Sequence, residues 1–138
     1  MTPTSDTSNA ALLASTTCGD LTEIRRQLEA GVDINAQTDS GTTVLHAAAR
    51  SGQLQVAALL VEHDADVNGR DKYGKTPLHS ASRCGHQDIA KLLLDHGANV
   101  NALAKNGSNP LDWAVRFEHD ALAEFLREQG GKSGKALR

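Results

Sequence analysis

The stretch Asp71–Leu103, DKYGKTPLHSASRCGHQDIAKLLLDHGANVNAL, decides the fold, because the chain falls on itself when it is shifted by 33 residues. The shift superimposes Gly41, Gly74 and Gly107, then Leu12, Leu45, Leu78 and Leu111, and the segment ends Asp33–Asn35, Asp66–Asn68 and Asn99–Asn101. One such unit cannot bury its apolar face alone, so the units must stack and share a core. Within the stretch, Gly74 supplies the positive φ of a tight turn. Thr76-Pro77 opens a helix, with Thr as N-cap and Pro at the first helical position, where a missing N–H costs nothing. Leu78 and Ala81 face inward and Gly85 ends that helix. Ile89, Leu92, Leu93 and Leu94 build a longer second helix closed by Gly97.

The same plan reads outward in both directions. Upstream, Asn9 is the expected N-cap of a helix over Ala10–Thr17, Gly19 breaks it, and Leu21, Ile24 and Leu28 share one face of the next helix before Gly31. The second unit repeats this with helices at Thr43–Ser51 and Gln53–His63. Downstream, the fourth unit keeps Gly107, Pro110-Leu111 and Ala114, but Glu118 stands where the separating glycine would be. Glu124, Arg127, Glu128 and Gln129 surround Leu122, Phe125 and Leu126, a polarity that suits an end unit facing water. Units at about 10–37, 38–70, 71–103 and 104–130 follow, after a disordered lead-in over 1–9 and before a flexible basic tail over 131–138. The predicted class is all-α.

The totals agree. Two Phe, one Trp and one Tyr in 138 residues leave a core of Leu, Ile, Val and Ala, which suits closely packed helices. A formal net charge of −3 gives no general pull toward nucleic acid. No apolar run reaches membrane length. MTPTSDTSNA has no basic residue and no sustained apolar core, so a secretory signal is not expected. Cys18 and Cys84 are 66 residues apart, two periods. Stacked helices about 8–10 Å apart would separate the thiols by roughly 16–20 Å, beyond the about 7 Å between Cα atoms that a disulfide spans. A reducing compartment is expected, the cytoplasm first, with the nucleus as the alternative in a eukaryote.

Thr76-Pro77-Leu78-His79, then Gly85, Leu92-Leu93-Leu94 and Gly97-Ala98-Asn99-Val100-Asn101, resemble the ankyrin repeat over about Ala10–Gly130. The second unit departs at Val44 for Pro and at Asp64 for Gly, and the fourth has Asp112 in place of histidine. The resemblance implies a solenoid of stacked helix-turn-helix units with projecting β-hairpin-like turns, working by binding. It implies that His46 and His79 tie adjacent units by hydrogen bonds, and that Asn35, Asn68 and Asn101 occupy places where such sequences are hydroxylated in animals. It also implies which positions are free for a partner. These are Gln37, Asp39, Ser40, Thr42, Arg50 and Ser51; Arg70, Lys72, Tyr73, Lys75, Arg83 and Cys84; and Leu103, Lys105, Asn106, Ser108, Arg116 and Phe117. Seven of these are Lys or Arg and one is acidic, so half of the 14 basic residues fall on one face of an acidic chain.

No other chemistry competes with this reading. The six histidines recur in ladders one period apart, as with His63 and His96 near helix ends, and no Cys or His pair stands at metal-ligand spacing. No Ser, His and acid group is gathered by the repeat. Gly74-Lys75-Thr76 lacks the upstream glycine of a phosphate-binding loop. Trp113 reads as packing. The expected function is therefore a protein–protein interaction module, an adaptor or scaffold whose concave face of turn tips and first helices takes an acidic or phosphorylated segment. The alternatives are a dedicated inhibitor of an enzyme such as a kinase, and behind it a nucleic-acid binder using the groove with Lys132, Lys135 and Arg138, for which the aromatics are too few. No enzyme activity, cofactor, metal or membrane contact is expected, the partner is another protein, and the chain is expected to act as a monomer.

Overall fold

A computed structural model describes residues 5–134. They form α1 (Ser5–Cys18), α2 (Leu21–Glu29), α3 (Val44–Ser51), α4 (Leu54–Glu62), α5 (Pro77–Cys84), α6 (Gln87–Asp95), α7 (Pro110–Arg116) and α8 (Asp120–Glu128), with no strand among the described residues. The first helices α1, α3, α5 and α7 stack side by side, and α2, α4 and α6 pack behind them as a second row, with α8 against α7.

Local chemistry starts each first helix at its place. The Thr43 and Thr76 side chains accept the backbone N–H of His46 and His79, and each imidazole Nδ1 accepts the threonine N–H in return, at 3.2 and 3.0 Å. This is a capping box with histidine where Glu or Gln is usual. Asn109 and Asp112 repeat it on α7. The helices end on left-handed residues: Gly52 at φ 72° and Gly85 at φ 77°. Where the repeat lacks glycine, Asp64 (φ 68°) and Glu118 (φ 62°) still adopt that conformation, at a cost of about 1–2 kcal/mol each that the surrounding stack must offset.

The core is one continuous apolar seam. Leu12, Leu45, Leu78 and Leu111 come from the first row, and Ile24, Leu60, Ile89, Leu93, Leu122 and Leu126 from the second helices, all of them buried. The turns between units are hairpin-like: Asp71 N–H donates to Lys75 O at 3.0 Å and Gly74 N–H to Asp71 O at 2.9 Å. Successive turns are stitched by Lys72 N–H to Ser40 O and Lys105 N–H to Tyr73 O, both 2.9 Å. At Gly41 a Cβ would sit 2.8 Å from the Lys72 nitrogen, so only glycine lets neighbouring turns approach this closely.

Two expectations about the ends are corrected. Helix α1 begins at Ser5, so Asn9 lies within it instead of capping it. Nothing after Pro3 in this segment breaks a helix. At the other end, residues 131–134 are tied to the last unit and do not hang free. Lys132 N–H donates to Asn101 Oδ1 at 2.9 Å, Asn109 Nδ2 donates to Lys132 O, and Gly134 N–H donates to Asp112 Oδ2 at 2.9 Å. Asp112, the residue standing where units two and three have histidine, thus holds the segment that follows unit four. Lys135 and Arg138 lie outside the described residues, as do residues 1–4 of the lead-in.

Candidate protein-binding groove

A ladder of side chains bonded to backbone one unit away fixes the concave face. His46 Nε2 meets Lys75 O at 2.9 Å and His79 Nε2 meets Ser108 O at 3.0 Å. Because Nδ1 of each ring already accepts a backbone N–H, Nε2 carries the proton and donates. Burial depresses the pKa of both histidines, that of His79 to about 4. Gln37 Nε2 donates to Arg70 O at 2.9 Å, and Arg70 in turn donates to Leu103 O at 2.6 Å. His119 Nε2 lies 2.8 Å from Arg83 O, and its ring leaves no room for a Cβ on Gly85. Asn35, Asn68 and Asn101 each accept a backbone N–H from the next loop, at 2.8, 2.8 and 2.9 Å. Their carboxamides are inter-unit ties.

On this rigid frame a groove runs along α3, α5 and α7. It is lined by Thr42, His46, Arg50, Asp71, Lys75, His79, Ser80, Arg83, Cys84 and Trp113. Tyr73, Lys75, Lys105 and Asn106 line an adjoining pocket at the turn tips, with Lys75 shared. Cations and aromatic faces alternate along it. The Lys72 and Lys75 ammonium groups stand 5.1 and 5.5 Å from the Tyr73 ring centroid, and Lys75 also stands 4.8 Å from that of Trp113. The Arg83 and Arg116 guanidiniums lie 5.9 and 5.7 Å from Trp113, and 5.3 and 5.8 Å from Phe117. The Trp113 and Phe117 rings stack at 5.6 Å with 2° between their planes. Each cation–aromatic contact contributes about 0.5–1 kcal/mol at an exposed site, enough to hold long side chains in place without neutralising them.

The ion pairs lie elsewhere. Glu23–Arg26, Lys91–Asp95 and Glu124–Arg127 are each formed within one second helix. Among the described residues Arg50, Lys75, Arg83 and Arg116 have no carboxylate partner. Asp71, the acid lining the groove, turns Oδ1 into its own loop, where it accepts the N–H groups of Tyr73 and Lys75 at 2.9 Å each.

Of the residues singled out from the sequence, the structure gathers Thr42, Arg50, Lys72, Tyr73, Lys75, Arg83, Cys84, Lys105, Asn106, Arg116 and Phe117 along this face. Arg70 is exposed, but its guanidinium is committed to Leu103 O. Ser40 bonds within its own turn to Thr38 and Thr42, and Asp39 stands exposed on that tip. Trp113 is the residue that sequence reasoning placed in the packing alone: it is 8% exposed yet lines the groove and carries three of its cations. The available signal was its register, one period after Ser80.

A stack of four helix pairs, cross-tied by side chains and projecting hairpin turns over a rigid concave face, is a repeat solenoid of the kind that works by binding. Family models described as Ankyrin repeats (3 copies) and Ankyrin repeats (many copies) match residues 11–104 and 84–127, and the chain belongs to the ankyrin-repeat family. Ankyrin repeats are in general protein–protein interaction modules and typically not enzymes. A search of curated proteins found no match. Among the described residues no helix is long and apolar enough to cross a membrane, and no group of three or more His, Cys, Asp or Glu could hold a metal ion.

Proposed function

We propose that this protein is a non-enzymatic, monomeric adaptor whose concave face grips an acidic segment of a partner protein. The observation that carries this reading is the row of Lys75, Arg83 and Arg116 held over Tyr73, Trp113 and Phe117 with no carboxylate paired to them. Complementary charge raises the rate of encounter and rejects basic partners, while exposed aromatics such as Tyr73, 53% accessible, supply anchors. Inhibition of an enzyme such as a kinase is the second reading. In the ankyrin proteins that block cyclin-dependent kinases the first helix of the second repeat is shortened. Here α3 is eight residues long, the same length as α5, which disfavours it. A nucleic-acid partner is disfavoured by the stacking already made within the groove: Trp113 and Phe117 cover each other and are not splayed for bases.

The test is capture of the partner from the native host by the wild-type chain and by a Lys75→Glu, Arg83→Glu double variant. Two reversed charges are expected to weaken capture by about 100-fold, and wild-type affinity is expected to fall steeply between 50 and 300 mM salt. Equal capture by both chains, or binding indifferent to salt, would reject the reading.

A further inference from the structure

The groove along α3 and α5, walled at one end by Trp113 of α7, encloses a cavity of about 100 Å³. That is less than the ~150 Å³ that accommodates a benzene ring, so it fits one compact group. Lys75 reaches it from the turn, Ser80 and Arg83 from α5, and Trp113 from α7, with Arg50 contributed by the preceding unit. Trp113 walls the cavity and is more than nine-tenths buried, with its indole nitrogen shielded from solvent. Three cations converge on the same ring, Lys75 at 4.8 Å, Arg116 at 5.7 Å and Arg83 at 5.9 Å from its centroid. The two histidines and the Asp71 Oδ1 there are already engaged. His46 and His79 are neutral with both ring nitrogens bonded, and Asp71 Oδ1 holds its own turn.

We infer that this cavity is a phosphomonoester subsite, taking the phosphoryl group of a phosphoserine or phosphothreonine in the acidic segment of the partner. The inference rests on the concave-face reading above and narrows it. A carboxylate has two oxygens and one charge, which a single Arg fork satisfies. A phosphomonoester near neutral pH carries almost two charges on three terminal oxygens. That matches the Lys75 ammonium and the Arg50 and Arg83 guanidiniums, which line the cavity from the turn, α3 and α5, with the Ser80 hydroxyl as a further donor.

Trp113 is the only tryptophan, so its fluorescence reports the site directly. Three acidic nonapeptides, identical except for a central serine, glutamate or phosphoserine, would be titrated against the full chain by calorimetry and Trp113 emission. Inorganic phosphate at matched ionic strength would be titrated alongside them. The phosphoserine peptide is expected to bind about tenfold tighter than the glutamate peptide, and to be the one that shifts Trp113 emission. Arg83→Gln and Lys75→Gln should each remove that preference. Equal, salt-sensitive affinity for the phosphoserine and glutamate peptides would overturn the subsite and leave the acidic-segment reading standing. Failure of all three peptides to bind would overturn both. Inorganic phosphate binding as tightly as the phosphopeptide would assign the cavity to a free anion and overturn the peptide source.

Discussion

Replacing Leu78 by Ala is expected to lower the unfolding free energy by about 2–5 kcal/mol. Leu78 is 0% exposed and sits on α5, which packs against α3, α6 and α7 at once. The cost combines the lost transfer energy with the cavity left behind, because helices pinned by backbone-to-side-chain ties collapse poorly into a void. The position in the stack adds to it. In a linear array each unit is stabilised only by its neighbours, so a weakened third unit loosens the contacts on both sides. Leu93→Ala, equally buried on α6, belongs in the same range. Lys72→Ala, on an exposed turn tip, should change stability by less than about 0.5 kcal/mol. Urea unfolding followed by far-UV circular dichroism ranks the three. A Lys72 effect equal to that of Leu78 would refute the assignment of inner and outer faces.

The second large effect is acid sensitivity near pH 5. His79 is buried, and its Nδ1 accepts the Thr76 N–H while its Nε2–H donates to Ser108 O. A proton added at Nδ1 would face a donor and would place a charge where desolvation is severe. The folded-state pKa is therefore about 4, below the usual 6.5. A depressed histidine contributes stability that is complete above pH 6.5 and is lost as pH falls toward 4. The loss from His79 alone amounts to roughly 3 kcal/mol. His46 is depressed for the same reason and adds to the loss in the same direction. Glu23, held low by the Arg26 guanidinium, lies on an exposed face and titrates below this window. Urea midpoints measured from pH 7.5 to 4.5 should hold level down to about pH 6.5 and then drop, and His79→Gln should flatten the curve even if it lowers its plateau. A pH-independent midpoint over that range would contradict the neutral ring assignment.

The parts of the molecule legible in the sequence are those where one residue type answers a local demand. Thr76-Pro77 announces a helix start, Gly52 and Gly85 mark left-handed ends, and the recurrence of Leu12, Leu45, Leu78 and Leu111 gives the seam. His46 and His79 were readable as inter-unit ties because they recur in register inside a recognisable motif. The candidate face was legible as a set of turn and first-helix positions, but not as a geometry. That Arg70 spends its guanidinium on Leu103 O depends on how far one loop lies above the next, which no spacing reveals. The depth of Trp113 was hidden because a large aromatic on an alanine-rich helix reads as core. It is core on one side and groove wall on the other. The docking of residues 131–134 rests on Asn101, Asn109 and Asp112 continuing the ladder past the last helix, beyond the point where the repeat pattern in the sequence stops.

The central claim is that the concave face of α3, α5 and α7 binds an acidic segment. The most direct measurement is a ¹H–¹⁵N chemical-shift map of the full chain titrated with the acidic phosphoserine nonapeptide. Shifts are predicted to concentrate at Tyr73, Lys75, Arg83, Arg116 and the Trp113 indole N–H, with the exposed residues of α4 and α6 unmoved. Shifts confined to the helices of the second row, with the Trp113 indole unmoved, would contradict the account.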